Sequence, residues 1–115
     1  MPAEAVGEVV GAVLDRTGTA PDLALLVASP ALVGALHDIV GAVRALLDPG
    51  VLIGTVSSTV LGGAREVEQG PALALWAGRT GPVTPVRLVA RASPDGVRVS
   101  GVPAVRGRHD RALIL

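Results

Sequence analysis

The chain reads as an α/β domain: a mixed sheet with a parallel β-α-β start, antiparallel strands after it, and two helices packed on the sheet. Three observations lead there. Two continuous apolar runs, LALLVA at 23–28 and VLIG at 51–54, bracket a stretch with apolar residues at three- and four-residue spacing. That is the order of strand, crossover helix and parallel strand, joined in a right-handed sense. A second stretch of helical spacing precedes the first run. After residue 63 the apolar period shortens to two, with no helical pattern in between, as antiparallel strands require.

Each element follows in order. Over residues 3 to 16, Val6, Val9, Val10, Val13 and Leu14 fall on one helical face. Glu4 and Glu8 near the start and Arg16 near the end suit the helix dipole, and Gly18 suits a C-cap. LALLVA follows Pro21-Asp22 and reads as a strand buried on both faces. Ser29 is placed as an N-cap with Pro30 at the first helical position. Leu32, Leu36, Ile39, Val40, Val43, Leu46 and Leu47 then make the buried stripe of a second helix, stopped by Asp48-Pro49-Gly50. VLIG is a second buried strand. PALALWAG, TPVRLVAR and GVRVSG are three further strands, and Ser93-Pro94-Asp95-Gly96 turns residues 86–91 back onto 97–101 as a hairpin. ALIL at 112–115 is a last apolar strand, whose uncovered edge calls for a cover.

Composition narrows function. At 115 residues, half of them hydrophobic, the chain makes one domain with a real core and is not disordered. Cysteine is absent and the two histidines, His37 and His109, are far apart, so neither disulfides nor a metal site is expected. All ten basic residues are arginine, which excludes a Walker-type phosphate loop and lysine chemistry; the bias also suits a GC-rich bacterial genome. Residues 1–60 hold six acids against two arginines, and 61–115 four acids against eight. With Trp76 as the only aromatic to stack on bases, this basic half is not expected to bind nucleic acid. The most apolar stretch, LALLVASPALVGAL, is too short to span a membrane. The N-terminus is acidic where a secretory signal is basic, so the expected location is the cytoplasm.

The segment VLIGTVSSTVLGG at 51–63 holds the candidate site. It matches neither GxxxxGK[ST] nor GxGxxG, and Ser57 and Ser58 lack the G-x-S-x-G elbow of a hydrolase nucleophile. As a polar loop at the carboxyl end of a strand, it sits where open α/β sheets bind small ligands. Gly54, Thr55, Ser57, Ser58, Thr59, Gly62 and Gly63 are the candidate ligand-binding residues, hydroxyls for hydrogen bonds and glycines for close approach. Alternatively the hydroxyls satisfy only the turn's own backbone. Trp76 is expected in the core. Glu66 and Glu68 should share one solvated strand face, His37 beside Asp38 should be exposed, and Arg106–Arg111 should form a charged loop.

Ile53-Gly54, Gly62-Gly63, Arg65-Glu66-Val67-Glu68 and Gly70-Pro71-Ala72-Leu73-Ala74-Leu75-Trp76 together resemble the N-terminal FIST domain (F-box and intracellular signal transduction), actinobacterial type. LALLVASP at 23–30, TPVRL at 84–88 and DRALIL at 110–115 resemble other strands of that family. The resemblance implies a non-enzymatic sensory domain that binds a small molecule such as an amino acid, without a cofactor. Thr55 stands where relatives carry Cys, and residues Val56 to Val60 depart from the family's usual loop. Members of the family continue past Leu115, which implies a fragment whose last strand meets either the missing C-terminal part or a self-association partner.

Overall fold

The computed structural model describes residues 2–62 and 64–104, which fall into two compact units divided between Val83 and Thr84. In the first unit, α1 (Pro2–Thr17) leads to β1 (Leu23–Ala28), a 3-10 segment (Pro30–Ala35), α2 (Leu36–Leu47) and β2 (Val51–Val56). A small hairpin, β3 (Val60–Gly62) with β4 (Arg65–Val67), precedes β5 (Leu73–Gly78). The second unit holds another hairpin, β6 (Val89–Ser93) with β7 (Gly96–Ser100).

The main sheet has the order β2-β1-β5, with β2 parallel and β5 antiparallel to β1. This is the mixed α/β sheet expected. Alternation along the strands splits its residues between two faces. Ala24, Leu26 and Ala28 of β1, with Leu52, Leu73, Leu75 and Ala77 beside them, pack against Val6 and Val10 of α1 and Ile39, Val43 and Leu47 of α2. Both helices therefore cover one face. Each large side chain buried there contributes about 1.5–3 kcal/mol, and the set is the reason the helical spacings exist. On the opposite face, in register, stand Leu25, Ile53 and Trp76, then Val27, Thr55 and Ala74. No helix of the first unit lies over them; β3 approaches β5 there, with Val60 buried and Leu61 lining a hollow with Leu25, Val27, Ala74 and Trp76.

That one-sided cover corrects several expectations. In LALLVA, Leu23, Ala24, Leu26 and Ala28 are buried, while Leu25 and Val27, away from the helices, are half-buried. VLIG is an edge strand, half-buried rather than buried, and it runs on to Val56, taking Gly54 and Thr55 into the ladder. Trp76 is not core: it is 50% exposed on the open face. Leu46, placed in the buried stripe of the second helix, is 52% exposed.

Local chemistry also departs in places. Gly18 caps α1 at φ 75, its N–H donating to the Leu14 carbonyl at 2.9 Å, as its position foretold. Ser29 is not a side-chain cap: the helix starts as a 3-10 turn, and the buried Ser29 Oγ instead accepts the Ala72 N–H at 2.8 Å. Ser29 N–H donates in turn to the Ala72 carbonyl at 2.9 Å, tying the end of β1 to the start of β5. Asp48 ends α2 in the left-handed conformation at φ 51. The run Pro30–Leu47 has the length and mean hydropathy, 1.4, to cross a bilayer, later in the chain than the stretch singled out from sequence. Here it is broken into the 3-10 segment and α2, and Leu32, Ile39, Val43 and Leu47 are buried.

The second unit's hairpin pairs Arg91 with Arg98 and Ala92 with Val97. The hairpin exists as expected, with its first strand at 89–93 rather than 86–91, because the turn closes directly between Ser93 and Gly96. All its residues are exposed. The expected ALIL strand and the Arg106–Arg111 loop lie outside the described residues.

Candidate functional site

The 54–63 segment is not one loop. Gly54 and Thr55 belong to β2, opposite Leu26 and Val27 of β1. The connection proper is Ser57, Ser58 and Thr59, and Gly62 pairs with Arg65 in the small hairpin; Gly63 lies outside the described residues. The turn is not buried: Ser58 and Thr59 are exposed and Ser57 half-buried. Its backbone is held by Ser57 N–H donating to the Ala28 carbonyl at 2.9 Å. The turn is thus anchored by main chain and not by its hydroxyls, which stay open to solvent.

The concavity lies elsewhere. A hollow of about 390 Å³ opens on the face away from the helices, lined by Arg16, Leu25, Val27, Leu61, Ala74, Leu75 and Trp76. A smaller one of about 270 Å³ adjoins it between α1 and β5, sharing Arg16, Leu75 and Trp76. Among the described residues, Leu61 is what the 54–63 segment contributes to these walls. Thr55 stands beside Val27 on the same face, one strand outboard of the lining. The larger is shallow and open to solvent: Arg16 is exposed, and Trp76 and Leu61 are 50% and 68% exposed.

Three features build this hollow. Trp76 and Gly78 project to the same face two residues apart, and the indole lies over Gly78, where a Cβ would stand 2.5 Å from the ring's Cη2. Glycine thereby lets the ring lie along the strand as a wall. Arg16 comes from the last turn of α1 at the β5 side of the sheet. Arg79, one residue beyond β5, fixes the chain that leaves α1: its guanidinium donates to the Thr17 and Thr19 carbonyls at 2.9 Å each and to Ala20 at 3.4 Å. The Asp22 carboxylate accepts the Gly81 N–H at 3.0 Å, closing the same corner.

The remaining candidates do not gather. Glu66 lies in β4 and Glu68 just beyond its end, both exposed to solvent. His37 is exposed at the start of α2. Among the described residues, no three His, Asp or Glu side chains stand close enough to share a metal ion. Reading the sequence missed Arg16 and the exposure of Trp76. The available signal was a single Trp followed two residues later by Gly78, a spacing that leaves room for a ring on one strand face.

No family model matches the chain, and no solved structure matches it. Among curated proteins it is similar to the uncharacterized protein Rv0628c of Mycobacterium tuberculosis, at 32% identity over 101 residues, 88% of this chain and 26% of that protein. It is also similar to the uncharacterized protein Mb0898c of Mycobacterium bovis, at 28% identity over 113 residues, 97% of this chain and 29% of that protein. The chain spans about a quarter of the length of these relatives.

Proposed function

We propose that this chain is a FIST-type N-terminal domain that senses a small molecule in the cytoplasm without transforming it. The observation that supports the reading is the hollow beside Trp76 on a sheet face that the helices leave open. It is an open concavity whose described lining is mostly apolar, with Arg16 as its charged group. The ligand seat therefore moves from the Ser57–Thr59 turn to the neighbouring face, with Thr55 and Leu61 connecting the two. The resemblance would make the ligand an amino acid.

The test is a panel of amino acids and simple carboxylic acids, followed by thermal shift and by calorimetry on the full chain. At least one compound should raise the melting temperature and return unchanged by mass spectrometry. If none binds, the sensing reading falls; if a bound compound is converted, the domain is an enzyme.

A second reading, an assembly module, draws on the second unit. Val97 and Val99 are 70% and 51% exposed on the hairpin face away from Arg91 and Arg98, and a two-stranded hairpin is marginal in water without a cover. Sedimentation that gives a clean monomer across concentration removes that reading.

A further inference from the structure

The β6–β7 hairpin sorts its side chains by face. Its register sets Arg91 directly opposite Arg98, with Val89, Ser93, Gly96 and Ser100 on the same face. On the other face Ala90 stands opposite Val99 and Ala92 opposite Val97. Every one of these residues is exposed, Val97 at 70% and Val99 at 51%. The sheet is two-stranded, a size that is marginal in water without a neighbour. Like charges directly opposite each other on antiparallel strands add a further cost. The unit's own composition cannot offset it: residues 84–115 hold Arg87, Arg91, Arg98, Arg106, Arg108 and Arg111 against Asp95 and Asp110.

We propose that the outer edge of β7 accepts, as a third strand, an extended segment of a partner protein in which acidic and apolar residues alternate. The inference rests on the assembly reading and narrows it to one kind of partner. A strand added beside β7 alternates between the same two faces. With an acidic residue opposite Arg98, its two neighbours fall beside Val97 and Val99, where branched side chains pack across strands. The carboxylate then stands in the row of Arg91 and Arg98, and the two main chains pair as at other sheet edges that take up peptides. β7 is the docking edge because it carries the two valines, where β6 presents Ala90 and Ala92. A polypeptide suits this surface better than a nucleic acid. The apolar face is alanine and valine, and the chain's one aromatic residue to stack on bases is Trp76 of the first unit.

The experiment titrates the full chain with acetyl-TVEVEVT-amide and with acetyl-TVQVQVT-amide, followed by two-dimensional amide spectra. The glutamate peptide should shift the amides of residues 97–100 most. It should bind about fivefold tighter than the glutamine peptide at low salt, as exposed ion pairs allow, and lose that preference in concentrated salt. Arg98→Gln, with an unaltered far-ultraviolet spectrum, should bring the glutamate peptide down to the glutamine peptide's affinity and leave the latter unchanged. Val97→Ser should weaken both peptides alike. Equal affinity of the two peptides, shifts centred outside residues 97–100, or tighter binding of a DNA duplex at the same amides overturns the proposal. If neither peptide binds while sedimentation shows self-association, the acidic partner falls and the assembly reading stands. If neither binds and the chain sediments as a clean monomer, both fall.

Discussion

Gly78→Ala offers the sharpest test of how the open face is built. A Cβ at residue 78 would stand 2.5 Å from Cη2 and 2.9 Å from Cζ2 of Trp76, closer than van der Waals contact permits. Gly78 is in an extended strand, so the backbone accepts alanine without strain and the whole effect falls on the indole. The ring must swing off the strand. A Trp side chain buries about 150–250 Å² when enclosed; half of that, at about 25 cal/mol per Å², is about 2–3 kcal/mol. Losing part of this contact costs about 1.5–2 kcal/mol, offset by about 0.5–1 kcal/mol from removing a strand glycine. The net expected loss is about 1 kcal/mol, a fall in melting temperature of about 4–8 °C for a unit of this size. In a Trp76→Ala background the same substitution should become stabilising by about 0.5–1 kcal/mol, so the double-mutant cycle carries the argument. Unfolding followed by circular dichroism gives the energies, and a red-shifted emission reports the displaced indole. A Gly78→Ala protein as stable as the parent, with unmoved emission, would refute the placement of the ring.

Other expectations follow from single contacts. Ile39→Ala, in the helix layer over β1, should cost about 2–5 kcal/mol by denaturant unfolding, because the cavity left between helix and sheet cannot close. Ser29→Ala leaves the half-buried Ala72 N–H without its partner and should cost about 1 kcal/mol, whereas Ser57→Ala and Ser58→Ala should change stability by less than about 0.5 kcal/mol. Arg79→Ala removes the donor to the Thr17, Thr19 and Ala20 carbonyls. Hydrogen exchange should then rise at the amides of residues 18–20 with little change at α2.

The order of elements in the first unit was readable because local signals and tertiary demands agree. LALLVA, the stripe Ile39-Val43-Leu47 and Gly18 each say the same thing at the level of spacing and of packing. Spacing cannot say which faces of a strand find a cover. VLIG and LALLVA have the same texture, yet one is a central strand and the other an edge, because only β1 gains neighbours on both sides. Trp76 is exposed for that reason: an apolar strand reads as core whether or not a helix lies over its second face. The hydroxyl turn was found through composition, a local property. The hollow on the sheet depends on Arg16 and Trp76, brought together by α1 lying along β5, and no local pattern joins residues so far apart.

The most direct measurement is a two-dimensional amide spectrum of the full chain recorded during titration with the panel of amino acids and simple carboxylic acids. The account predicts that the largest shifts fall on Leu25, Val27, Leu61, Ala74, Trp76 and its indole N–H, and on the last turn of α1. Shifts confined to Ser57–Thr59, or spread over the helix-covered face at Ile39 and Val43, would contradict it.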